Sequence, residues 1–218
     1  MFSTIYFENH ADRIAVHFQS QSFTYHELHK QANRVAHGLK KCGVKNNTRV
    51  ALLLSNTPEY LISEVGIFFA GGTKIPLNNM LGENEILYIL NDSDAEVLIV
   101  EEQFFSIIEN IQMELPKIKT IVGVGRKENL PDQFISWESF QANESEATLN
   151  VSTNPTDLSL ILYTGGTTGK PKGVVHNHQG TVLTYLSIAI ETNMQEDEKI
   201  LLTTPLPHAA GLIYTLVW

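Results

Sequence analysis

From Tyr163 to Val174 the sequence reads YTGGTTGKPKGV. The run of small residues from Thr164 to Gly169 follows an apolar stretch and leads into two lysines, Lys170 and Lys172, separated by Pro171. Without side-chain bulk at Gly165, Gly166 and Gly169, successive backbone N–H groups are free to turn toward one point and form an anion nest. Thr164, Thr167 and Thr168 add hydroxyl donors, and the lysines add charge-assisted contacts of the kind that suit phosphate oxygens. The fixed φ of Pro171 holds the two lysines apart, so they are expected to point to different places. Such a loop can grip a polyphosphate. On composition alone it is equally a mobile surface turn.

The Walker arrangement does not fit. It requires a glycine five residues before the Gly of Gly-Lys and a Ser or Thr after the lysine. Here those positions hold Thr164 and Pro171. The chain is therefore not expected to be a P-loop NTPase.

Other candidates are weaker. His208 follows Pro205 and Pro207, where a histidine is commonly a hydrogen-bonded turn residue. His176 and His178 share a side if their stretch is extended, but two ligands without a third make a poor metal site, and a structural role is expected. Cys42, the sole cysteine, stands beside Gly43 and reads as a structural thiol. Gly71 and Gly72 read as the end of a helix.

The elements around these residues alternate between strand-like and helix-like, the pattern of an α/β protein. SFTYHELHKQANRVAHGLKKCG reads as a strand and a helix, with Thr24 and Glu27 spaced as a capping box and Gly43 as the stop. RVALLLSN is a buried strand, and TPEYLISEVGIFFAGG a helix with Thr57 at its cap and Pro58 in its first turn. TKIPLNN, AEVLIV and KTIVGVG are further strands, with GENEILYILNDS and EEQFFSIIENIQMEL as the intervening helices. Residues 126–156 lose this pattern and read as a polar connector between a first α/β subdomain (1–125) and the start of a second (157–218). There LSLILYT is a strand before the glycine loop, QGTVLTYLSIAIETN a helix, EKILLTTPLPH a strand and turn, and AAGLIYTLVW an apolar helix. That last helix has no cap, so the sequence reads as the front portion of a longer protein.

Composition bounds the function. Fifteen Lys and Arg against 24 Asp and Glu give 15 − 24 = −9, which argues against a general nucleic-acid binder. It leaves nucleotides open, because screening over about 8 Å lets local lysines act independently of distant carboxylates. A single cysteine allows no intrachain disulfide and fits a reducing cytoplasm. No signal peptide is visible, and no apolar run approaches the ~20 residues that span a bilayer.

The loop YTGGTTGKPKGV resembles the phosphate-loop signature of the acyl-adenylate-forming superfamily, which includes acyl-CoA synthetases, firefly luciferase and peptide-synthetase adenylation domains. The usual form has serine where Gly165 stands; the glycine is familiar in long-chain fatty acyl-CoA ligases. SFTYHEL (22–28), FFAGGTKIPLN (68–78) and PLPHAAG (205–211) resemble further family segments in the expected order, so the resemblance covers nearly the whole chain.

The resemblance implies an incomplete N-terminal α/β domain with β-sheets flanked by helices. It also implies an ATP-dependent enzyme that converts a carboxylic acid, of fatty or other apolar type, to acyl-AMP and then to a CoA thioester. Thr164, Gly165, Gly166, Thr167, Thr168, Gly169 and Lys172 would hold the β- and γ-phosphates, with Lys172 catalytic and Lys170 at a variable position. A threonine hydroxyl would touch Mg²⁺. His208 would lie between acid and nucleotide, and Ala209, Ala210 and Gly211 would leave room for a hydrocarbon chain. An aryl-CoA ligase, an amino-acid adenylation domain and an inactive phosphate-binding remnant remain as alternatives. The family's Tyr-Gly-x-Thr-Glu motif, its ribose-binding Asp and its C-terminal lysine are expected after Trp218.

Overall fold

The computed structural model describes residues 4–165, 169–195 and 198–211. The chain opens with a short helix α1 (Thr4–Asn9), a hairpin of β1 (Ile14–Phe18) and β2 (Gln21–Thr24), and helix α2 (Tyr25–Lys41). The capping box is present: the Thr24 hydroxyl accepts from the Glu27 amide at 3.1 Å, and the Glu27 carboxylate accepts from the Thr24 amide at 2.8 Å. Gly43, with φ +85°, turns the chain after α2 in a conformation open to glycine.

Strands and helices then alternate: β3 (Arg49–Leu53), α3 (Pro58–Ala70), β4 (Thr73–Pro76), α4 (Glu83–Asp92), β5 (Val97–Glu101), α5 (Phe105–Ile111) and β6 (Thr120–Val124). They are followed by β7 (Ile135–Ser136), α6 (Trp137–Gln141), β8 (Leu158–Thr164), β9 (Lys172–Asn177) and α7 (His178–Glu191). One seven-stranded sheet has the order β7-β6-β5-β3-β4-β8-β9. Its neighbours are parallel except for the antiparallel pair β8–β9. Helices on both faces explain why β3 is apolar from Val50 to Leu53 rather than alternating. Val50, Leu52 and Leu54 enter the core beneath α2 and α3, while Ala51 and Leu53 enter the core beneath α4 and α5. The chain passes from β3 to β4 on one side and returns to β5 on the other, which makes the carboxyl ends of these strands a switch point suited to ligands.

Several expectations need correction. The stretch after the glycine loop is not simply a lead into a helix: residues 172–177 form β9 and close a hairpin on β8, with Thr164 opposite Lys172. Gly173 and His176 obscure the strand pattern, and Gly173 is small because a Cβ would lie 2.8 Å from the Ile161 side chain. EKILLTTPLPH does not form a strand among its described residues, and Leu201 is 85% exposed. Residues 126–156 are not all connector. They carry β7 and α6, and Trp137 and Phe140 enter the core beside α2. Lys30 and Arg34 hold Glu146, and Lys41 holds Glu144 at 2.5 Å, so the polar stretch is bound down along α2. Thr57 occupies the cap position of α3, but its hydroxyl makes no capping bond and is buried without a hydrogen-bond partner among the described residues. Gly71 ends α3 in the left-handed conformation, as expected. Of the expected helix AAGLIYTLVW, residues 209–211 are helical and 212–218 lie outside the described residues.

Candidate functional site

The start of β8 is fixed before the glycine loop begins. The Asp157 carboxylate accepts from the Asn154 amide at 2.8 Å and from the Asn46 and Asn47 side chains at 3.0 and 3.3 Å. The Leu158 amide donates to Asn47 Oδ1 at 2.6 Å. These bonds, the Asn154 amide above all, hold Asp157 below its ordinary pKa. Further along, the buried Ser159 hydroxyl meets the Thr181 hydroxyl at 2.7 Å and joins α7 to the strand. The loop therefore leaves a strand tied to the 46–47 turn at its beginning and to α7 along its length.

At its carboxyl end, β8 lies beside β4, with Lys74 opposite Leu160 in parallel register. The exits of both strands open into a cleft of about 330 Å³. Pro76 at the end of β4 and Asn78 just past it line one side, Thr164 at the end of β8 and Gly165 just past it another, and His208 lines it from the turn at Pro207. Asn78 had no signal in the sequence beyond its place in PLNN. The exits of β3, β4 and β5 are locked to one another: the Ser55 hydroxyl accepts from Asn79 at 3.0 Å and from Gln103 at 2.8 Å, and the Ser55 amide donates to Glu101 at 2.7 Å.

Thr164, Gly165 and His208 are thus brought to one cleft. Gly169 has φ +136°, a conformation that strains other residues, and a Cβ at Gly165 would meet open space. Gly166, Thr167 and Thr168 lie outside the described residues. The two lysines diverge. Lys170 Nζ sits 5.1 Å from the Tyr88 ring centroid on α4, a cation–π distance, whereas Lys172 begins β9 and is exposed. Tyr88 and Tyr163 both donate to Asp92, at 3.2 and 2.7 Å, binding α4 to the flank of the loop. Burial first, and then Asp92, hold the Tyr163 phenol well above its ordinary pKa, so it remains a donor.

The His208 ring is oriented by its own turn. Its Nδ1 accepts from the Ala210 amide at 3.3 Å, which places the proton of the neutral ring on Nε2. The His208 amide in turn donates to the Pro205 carbonyl at 3.0 Å. Gly211 does not line the cleft. It packs so closely on the Pro205 carbonyl that no Cβ fits, a positional reason for glycine distinct from contact with a ligand. His178 starts α7 beside Phe68, with ring centroids 6.0 Å apart, and burial lowers its pKa. Among the described residues no group of three or more His, Cys, Asp or Glu side chains is arranged to hold a metal, and no helix is long and apolar enough to cross a membrane.

Comparison with known proteins gives a consistent picture. The family described as AMP-binding enzyme matches residues 5–218. A 4-hydroxybenzoate–CoA/benzoate–CoA ligase of Rhodopseudomonas palustris is 30% identical over 205 residues, covering 94% of this chain and 38% of that protein. Tyrocidine synthase 3 of Brevibacillus parabrevis is 34% identical over 171 residues, covering 78% of this chain and 2% of that protein. Among solved structures, a long-chain-fatty-acid-CoA ligase from Archaeoglobus fulgidus superposes with a TM-score of 0.84 at 26% identity, covering 96% of this chain and 42% of that one. The chain therefore spans well under half the length of these relatives.

Proposed function

The chain belongs to the AMP-binding enzyme family, and from that premise we propose that it is the front part of an ATP-dependent acid–thiol ligase acting on a fatty or similarly apolar carboxylic acid. A carboxylate is a poor electrophile. It gains a leaving group when one of its oxygens attacks the α-phosphorus of ATP, breaking the bond to the β-phosphate bridge and releasing pyrophosphate. The thiol sulfur of CoA then attacks the acyl carbon, loses its proton, and displaces AMP to leave the thioester. The observation that carries this reading is the convergence of the glycine loop, through Thr164 and Gly165, and His208 on one cleft at the sheet's carboxyl edge.

The loop's assigned work is electrostatic. Thr164 through Gly169, with Lys172, hold the β- and γ-phosphates and stabilise the charge that builds on departing pyrophosphate. His208, with its proton on Nε2, is placed to donate to an oxygen of the acid or of the α-phosphate. Magnesium would arrive with the nucleotide and neutralise phosphate charge. Such an ion would keep several waters beside the phosphates, and a threonine hydroxyl of the loop would add an oxygen. With one cysteine in 218 residues, we place the enzyme in the cytoplasm.

An aryl acid is the second reading, favoured by the likeness to the 4-hydroxybenzoate/benzoate ligase. ATP–pyrophosphate exchange by the full-length protein, run against fatty, aryl and amino acids, tests both. Fatty-acid-dependent exchange supports the first, aryl-dependent exchange the second. A strong preference for amino acids, or no exchange with any acid, overturns both.

A further inference from the structure

We propose that Asn56 is a positioning residue for His208, holding the histidine turn at the mouth of the cleft; in its catalytic consequence this rests on the function proposed above. Asn56 stands just past β3, 152 residues before His208 in sequence, and does not line the cleft itself. Its side-chain amide is used at both ends. Nδ2 donates to the Thr204 carbonyl at 2.9 Å, and Oδ1 accepts from the Leu206 amide at 2.8 Å. Because one partner is a carbonyl and the other an N–H, the amide has a single orientation that satisfies both. It mimics a strand neighbour for a segment that has no strand pairing among the described residues.

One turn further into α3, the buried Tyr60 donates its hydroxyl to the Leu206 carbonyl at 3.3 Å. Leu206 is consequently held at both backbone groups while its side chain, 3% exposed, enters the core with α2, α3 and β3. Pro207 restricts the next step, and the His208 ring is fixed by the bonds within its turn. Gly211 packs on the Pro205 carbonyl and leaves the turn little room to shift. Asn56 therefore sets the height of the turn, and the turn sets the ring. Misplacement of a reacting or stabilising group by about 1 Å costs on the order of 10²-fold in rate.

The test uses the full-length protein with Asn56→Ala, Asn56→Asp and Tyr60→Phe. Asn56→Ala should speed hydrogen exchange at the Leu206 amide at least about 10-fold while β3 amides stay protected, and should lower kcat for acyl-AMP formation by about 10- to 100-fold with a much smaller change in KM for ATP. Asn56→Asp keeps the acceptor for Leu206 but loses the donor to Thr204, so it should recover part of both losses. If Asn56→Ala does not fold, Asn56→Asp and Tyr60→Phe, each removing one bond, should show the same changes in smaller measure. Unchanged Leu206 exchange across these variants, or faster exchange with unchanged kcat, overturns the proposal. If the wild type forms acyl-AMP with no acid, the functional reading falls separately. The clamp is then decided by Leu206 exchange and by the His208 ring resonances, which must move in Asn56→Asp for it to stand.

Discussion

Lys170 and Lys172 are two residues apart and are expected to differ in consequence. Lys170 already has a partner, the face of Tyr88 at 5.1 Å, while Lys172 begins β9 opposite Thr164, the residue where the loop leaves its strand. In the full-length protein, Lys172→Ala should slow acyl-AMP formation on the order of 10²-fold, the usual cost of removing one transition-state donor. Lys170→Ala should cost less. Equal effects, or an unaffected Lys172→Ala enzyme in a single-turnover assay, would show that the loop assignment is wrong. The divergence of the lysines was legible from Pro171. The role of Tyr88 was not, because a cation–π contact between the loop and α4 leaves no trace in local spacing. A second residue-scale expectation concerns acid. Burial pulls the His178 pKa below its ordinary 6.5, so between that depressed value and 6.5 the unfolded chain binds more protons than the folded one. Stability contributed by the neutral ring is full above pH 6.5 and is lost as pH falls through the folded pKa. His178→Phe keeps a ring beside Phe68 and removes the titration, so its melting temperature should fall less than that of the wild type between pH 7 and pH 5. Parallel curves would refute this.

At the scale of elements, the least expected feature joins α3 to β4. Lys74 and Glu64 form an ion pair with both side chains essentially buried, and Lys74 Nζ lies 5.9 and 6.0 Å from the Tyr60 and Phe68 rings. Burial pushes the Lys74 pKa well down, and the Glu64 carboxylate that accepts from it works in the opposite direction. Removing one partner leaves an uncompensated buried charge, worth about 3–5 kcal/mol, whereas replacing both with apolar residues of similar size is often neutral or stabilising. Glu64→Leu should therefore lower stability in urea far more than Lys74→Met with Glu64→Leu together. A double variant as weak as the single one would mean the pair is not coupled. Nothing in TKIPLNN announced this, since a lone lysine in a short strand looks like an edge residue. By contrast, helix ends carry their cause locally, which is why Thr24 with Glu27 and Gly71 could be read directly. Two of the elements that escaped reading, β9 and α6, owe their existence to distant partners: β9 to β8 across the loop, and α6 to the core beside α2.

At the scale of the whole molecule, the described residues line one cleft, which the proposed function makes one wall of a reaction site. The sheet presents the exits of β4 and β8 and the His208 turn to the cleft, with Thr164 and Gly165 at its edge. On the other side of β8, the hairpin and α7 present apolar side chains to solvent: Val175 is 57%, Leu186 54% and Ile190 75% exposed. Adenylation needs more than a phosphate grip. The carboxylate and the α-phosphorus must be held in line at near-attack distance, with charge neutralised on both the entering and the leaving side. In the function proposed above the loop serves the leaving side and His208 at most one oxygen near the centre, and neither is assigned to position the nucleoside or close the cleft against water. The chain as given, 218 residues, should accordingly show no acid-dependent ATP–pyrophosphate exchange, although the strands β8 and β9 that flank its loop are in place. The direct measurement is exchange by the purified chain with fatty, aryl and amino acids, with the Lys172→Ala chain prepared in parallel to reveal contaminating ligases. Exchange that exceeds background and disappears in Lys172→Ala would mean that these residues already make a complete site, and that the further sequence of the longer relatives serves the thioester step alone.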